Sequence, residues 1–137
     1  MASNLVDFFG RNAQPLPEKE LVVSNRFKDA DGKPIVWKIK ALDAGTLQRI
    51  RSDAMDMNVG QNKEVSVKFN SARMNTKKVA ASVVYPYLLD IDLQKYYGVS
   101  TPGALIGAML SDDEFNTLLD AVDSLGDDTD LEEEAKN

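Results

Sequence analysis

The residues of this chain that could do chemistry are carboxylates, and their spacing argues against most of what carboxylates do. Asp29-Ala30-Asp31-Gly32 opens like a calcium loop. Such a loop also needs a third oxygen ligand ahead of its glycine and a glutamate at its last place. Here the glycine follows Asp31 directly, and the last place falls on Lys40. The same residues fit a hairpin turn, because an Asp-Gly pair tolerates the positive φ that such a turn demands. Glycoside hydrolysis needs two carboxyl groups held apart across a cleft, and no spacing here marks such a pair. The chain has no histidine and no cysteine. That removes disulfides, thiolate nucleophiles, Cys/His zinc sites and imidazole acid–base chemistry. It also lacks G-x-S-x-G and any phosphate-cradling glycine loop. The reading is a non-enzymatic protein with no catalytic residue, no cofactor and no metal.

Binding chemistry is the remaining option. The segment 92–110 mimics a helix-turn-helix, with Gly98 at the turn and Pro102 opening the second helix. A recognition helix reads bases with Arg, Lys, Gln or Asn. Residues 102–110 carry no polar side chain, so a buried helical pair is expected and nucleic acid is not. Gly103 and Gly107 allow a close helix crossing, inside the fold or between subunits, but the helix is far too short for a membrane. Trp37, Tyr85, Tyr87, Tyr96 and Tyr97 could stack on bases, yet core or core-edge packing suits them better. Glu132-Glu133-Glu134 reads as a solvating run and not a cation site.

The elements that would position these groups follow from pattern. The 137 residues, 15.1 kDa, 43% hydrophobic and 28% charged, suit one domain with its own core. No apolar run is long enough to span a membrane and no signal peptide is visible, so a cytoplasmic location is expected. Charge is uneven: residues 1–85 carry net +5, residues 86–126 net −6 and residues 127–137 net −5, within a total of −6. Such a split favours self-association or steering of a partner.

Residues 1–17 read as a short amphipathic helix, capped by Ser3 and carrying Leu5, Phe8 and Phe9 on one stripe, followed by a Pro-containing connector. Residues 18–126 form the single globular domain. Within it, 20–28 and 34–41 read as hairpin arms around Asp31-Gly32. A helix capped by Asp43 covers 44–58 with Leu47, Ile50, Ala54 and Met57 inward. Val65, Val67 and Phe69 form a short strand that could join the hairpin. A helix capped by Asn70 or Ser71 runs to about Tyr85, ended by Pro86. Asp90 caps a short helix that Gly98 stops. Thr101 caps an almost wholly apolar helix with Pro102 first. Ser111-Asp112-Asp113-Glu114 is a capping box for the last helix, which Gly126 ends. Residues 127–137 are acidic and expected to be disordered. The fold class is α+β: an N-terminal β-hairpin or small three-stranded antiparallel sheet, then a compact bundle of four to five helices.

The ordered set of motifs resembles the XkdN-like tail assembly chaperones of contractile-tailed phages and PBSX-type prophages. Four stretches carry the likeness. They are the opening helix over 5–14; Val22-Val23-Ser24-Asn25-Arg26-Phe27 with its Asp-Gly hairpin and Trp37-Lys38-Ile39; Ala80-Ala81-Ser82-Val83-Val84-Tyr85-Pro86 with Leu93-Gln94-Lys95-Tyr96-Tyr97-Gly98-Val99; and 104–110 with Glu114-Phe115 and Leu118. The stretch from about 52 to 70 departs from the pattern. The resemblance implies a non-enzymatic assembly factor that binds the tape-measure protein and keeps it soluble before the tail tube forms. It implies a place in the host cytoplasm, absence from the finished virion, and self-association. It further implies contact with the tail tube protein through a frameshifted extension. Ala135-Lys136-Asn137 is compatible with a slippery heptamer at that point. Apolar groups expected to meet a partner are Leu5, Phe8, Phe9, Leu105 and Met109. The alternative is a structural or adaptor component of the tail.

Overall fold

A computed structural model describes residues 4–9 and 15–126. The Ser3 cap, the segment 10–14 and the acidic run 127–137 lie outside the described residues. Of the expected N-terminal helix the described residues 4–9 hold one 3-10 turn, Leu5–Phe8. An isolated helical turn fixes several residues for little hydrogen bonding, and Leu5, Val6, Phe8 and Phe9 are all exposed.

Strand β1 (Glu18–Leu21) pairs antiparallel with β2 (Trp37–Lys40), Glu18 opposite Lys40 and Leu21 opposite Trp37. The arms of the hairpin are shorter than the alternation predicts. Residues 22–27 leave the ladder, and pairing resumes only at the Lys28–Pro34 bridge. The turn itself forms as expected. Asp29 Oδ1 accepts from the Asp31 and Lys33 amides, at 2.8 and 3.0 Å, and Gly32 takes φ 77°.

Helix α1 (Ala44–Asp53) stops five residues short of its predicted end. Met55-Asp56-Met57-Asn58-Val59 alternates apolar and polar, and Asn58 and Val59 favour helix weakly. These residues instead form β3 (Met55–Val59), paired in register with β4 (Val65–Phe69). The 65–69 strand therefore exists, but it joins β3 in a separate two-stranded sheet and not the N-terminal hairpin.

Helix α2 (Ser71–Ser82) is capped by Asn70, whose side chain accepts from the Arg73 amide at 3.0 Å. It ends three residues earlier than expected. Val83 and Val84 are β-branched and Tyr85 precedes a proline, both of which disfavour helix. Residues Val83–Tyr85 form β5 and complete the three-stranded sheet in the order β1-β2-β5. The Ser82 hydroxyl donates to the Lys40 carbonyl and so ties the end of α2 to the end of β2.

Helix α3 (Ile91–Tyr96) is capped by Asp90 and closed by Gly98 at φ 68°. The Val99 and Gly98 amides donate to the Gln94 and Lys95 carbonyls, at 3.0 and 3.1 Å, the paired C-terminal closure that a left-handed glycine permits. Helix α4 (Pro102–Met109) is capped by Thr101, and α5 (Asp112–Gly126) begins with the capping box as predicted. Trp37 and Ile39 project from the central strand into a core shared with Val79, Leu105, Ile106, Leu118 and Val122. Among the described residues the architecture is mixed α+β: a three-stranded antiparallel sheet, a two-stranded sheet and five α-helices.

Candidate functional site

The residues expected to meet a partner divide in two. Leu5, Phe8 and Phe9 are exposed, Phe8 at 74%. Leu105 is 0% exposed and Met109 6%. Both are core residues, and a partner does not reach them in this conformation. The apolar character of α4 is spent inside the fold, since its other face shows only Ala104, Gly107 and Ala108. Its two glycines differ as well. A methyl on Gly103 would lie 3.1 Å from Thr76 Cγ2, whereas one on Gly107 would meet nothing within 4 Å. Gly103 alone serves a close crossing, with α2. Of the large aromatics, Trp37 is buried and Tyr97 half-buried against Tyr96, but Tyr85, Tyr87 and Tyr96 are exposed. Core or core-edge packing is the expectation for all five, and Tyr85, Tyr87 and Tyr96 depart from it.

A contiguous exposed apolar surface lies where the sequence pattern was least clear. Along β3 and β4 the register places Met55 opposite Phe69, Met57 opposite Val67 and Val59 opposite Val65. Side chains two apart share a face, so these six form one apolar face of paired residues. Each is exposed, from 44% for Met55 to 73% for Met57. The opposite face is polar: Asp56 opposite Lys68, and Asn58 opposite Ser66. Arg73 at the start of α2 grips that polar face, reaching Asp56 Oδ1 at 2.7 Å and the Asp53 carbonyl at 3.3 Å. The six apolar side chains therefore stand on the side away from Arg73 and α2. The hairpin carries Asp56, Lys63, Glu64 and Lys68, which balance. An isolated two-stranded sheet is marginal in water, and contiguous exposed apolar surface marks an interaction site. Alternation at 55, 57, 59 and 65, 67, 69 around Gly60 was the available signal. Met57 also fits the helical spacing of Ile50 and Ala54, which masked it.

Electrostatics elsewhere is structural. Among the described residues, no cluster of acidic side chains is arranged to hold a metal ion, and no helix is long and apolar enough to cross a membrane. The carboxyl of Glu114 is held well below the usual range, first by the Arg26 guanidinium and then by the Ser111 amide. Asp43 is held low chiefly by the Thr46 hydroxyl it accepts. Glu114 fastens the start of α5, whereas Asp43 bonds the Thr46 side chain and gives α1 no side-chain cap to the backbone.

The whole-chain comparisons agree with this architecture. The crystal structure of the protein yqbn superposes with a TM-score of 0.75 at 18% identity, over 93% of this chain and 99% of that one. At that identity the likeness establishes the fold. No curated protein matches. The family model for phage XkdN-like tail assembly chaperone proteins matches residues 5–136. On that match, which takes in both sheets and the five α-helices of the described residues, the chain belongs to the XkdN-like phage tail assembly chaperones.

Proposed function

We propose that this chaperone binds the tape-measure protein and keeps it soluble until the tail tube assembles, using the apolar face of the β3–β4 hairpin as its main contact. The observation that carries the reading is that face: six paired apolar side chains, uncovered, on an arm that balances its own charge. A chaperone for a long, partly apolar chain needs surface that accepts varied side chains. Met55 and Met57 supply it, because thioether side chains adapt their shape at little cost. Leu5, Phe8 and Phe9 add a second exposed apolar group. The strong negative charge of residues 86–137 keeps a loaded complex in solution. The site is a non-enzymatic one in the host cytoplasm. Self-association and contact with tail tube protein through a frameshifted extension belong to the same reading.

Co-expression with the tape-measure protein of the same genome tests it. The tape measure is expected in the soluble fraction, copurifying with this chain, while finished tails contain none of this chain. A structural or adaptor component would instead copurify with finished tails.

A further inference from the structure

A second surface lies along α2. Helix α1 and the start of α4 both pack on α2 and leave an open groove of about 980 Å³ between them. Its floor is Ala72, Thr76 and Ala80, one turn apart on a single face of α2. Its rim carries Arg49 and Lys77, together with Arg73, which is already paired with Asp56, and one lining carboxylate, Asp53. Arg49 and Lys77 are exposed and make no salt bridge among the described residues. No buried polar side-chain atom among those residues lacks a partner, so the groove shows no built contact for a small polar ligand.

We propose that this groove receives a helix of the tape-measure protein, amphipathic, with small or aliphatic side chains along its stripe and Asp or Glu along its edges. Small floor residues let a helix approach α2 at ordinary packing distance, about 8–10 Å between axes. Larger floor side chains would hold it off. The cationic rim selects acidic edges and rejects basic ones, since charge at an interface rim governs partner choice and encounter rate. The floor is a helix, whose backbone groups are already paired, so it offers no edge to an extended strand. A second copy of this chain fits poorly. Its acidic helix α5 commits Leu118 and Val122 to its own core and keeps no apolar stripe to insert. The assignment rests on the reading that the client is the tape measure.

The test uses the full chain and tiled tape-measure fragments, with affinity measured across salt. Arg49→Glu/Lys77→Glu is compared with Lys28→Glu/Lys95→Glu, which changes net charge equally at exposed sites off the groove. The groove variant is expected to lose about tenfold in affinity for acidic-edged fragments and to flatten the salt dependence. The control is expected to hold both. Equal loss in the two variants overturns the assignment, because net charge alone then suffices. Fragments that bind the groove variant as well as wild type overturn it while leaving tape-measure binding intact. Loss of self-association in the groove variant, with fragment binding unchanged, assigns the groove to a second copy and overturns it. If no fragment binds wild type, the tape-measure reading falls, and this assignment with it.

Discussion

The Glu114 carboxylate is shared between Arg26 and the start of α5. It accepts from Arg26 Nε at 3.2 Å on Oε2 and from Arg26 Nη2 on Oε1, while Oε1 also accepts from the Ser111 amide at 2.8 Å. Arg26 in turn donates to the Met109 carbonyl at 2.7 Å, at the end of α4. One arginine from the irregular segment 22–27 thus fastens the end of one helix to the beginning of the next. Both placements complement the helix dipoles, a cation at a C-terminus and an anion at an N-terminus.

That arrangement makes stability sensitive to acid. The Glu114 carboxyl is lower in the folded chain than in the unfolded one, so its contribution is complete above the ordinary glutamate value of about 4.3. It is lost as pH falls through the depressed folded value. Urea unfolding of wild type and Glu114→Gln should differ at pH 7 and converge as pH falls below about 4. A gap that stays constant with pH would show that the carboxylate charge is not what matters.

Gly98, with its positive φ, and Gly107, exposed within α4, should respond to alanine in opposite directions. Gly98→Ala forces a side chain into the left-handed region and should cost about 1–2 kcal/mol. Gly107→Ala adds a methyl that meets nothing within 4 Å and should stabilise by about 0.5–1 kcal/mol. Thermal unfolding of the two variants checks the signs.

Core and binding surface should separate cleanly. Leu105→Ala empties a fully buried position and should cost about 2–5 kcal/mol. Met57→Glu, on the exposed hairpin face, should change stability by about 0.5 kcal/mol or less. Chemical denaturation distinguishes them. A Met57→Glu loss as large as that of Leu105→Ala would mean the hairpin face is covered within the fold.

Much of this fold was legible from local chemistry. Asp90, Thr101 and the Ser111–Glu114 box cap their helices as their side chains predict, and Gly98 and Gly32 adopt the conformations only glycine takes freely. Long-range pairing was not legible. The 20–28 strand breaks because Arg26 is drawn to Met109 and Glu114, 83 and 88 residues away. Met57 fits a helix and a strand equally until Val67 is placed opposite it. Val83 belongs to a helix by spacing and to a sheet by its pairing with Ile39. The candidate surface suffered most, because it lies in the stretch where helix and strand periods coincide. Leu105 and Met109 read both as a buried pair and as partner-binding, because an apolar helix looks alike whether it faces a core or a client; the structure buries them.

Self-association should appear as a mass that rises with concentration in light scattering, weakened by salt if the basic front and acidic back halves meet. A constant monomer mass across the accessible range would remove it.

The most direct measurement is co-expression of the tape-measure protein with wild type, with Met57→Glu/Val67→Glu, and with Phe8→Ser/Phe9→Ser, scoring soluble and copurified tape measure. The account predicts that wild type keeps the tape measure soluble, that the hairpin variant folds normally yet loses most of it, and that the N-terminal variant loses less. A tape measure that stays insoluble beside wild type, or that the hairpin variant rescues equally well, would contradict it.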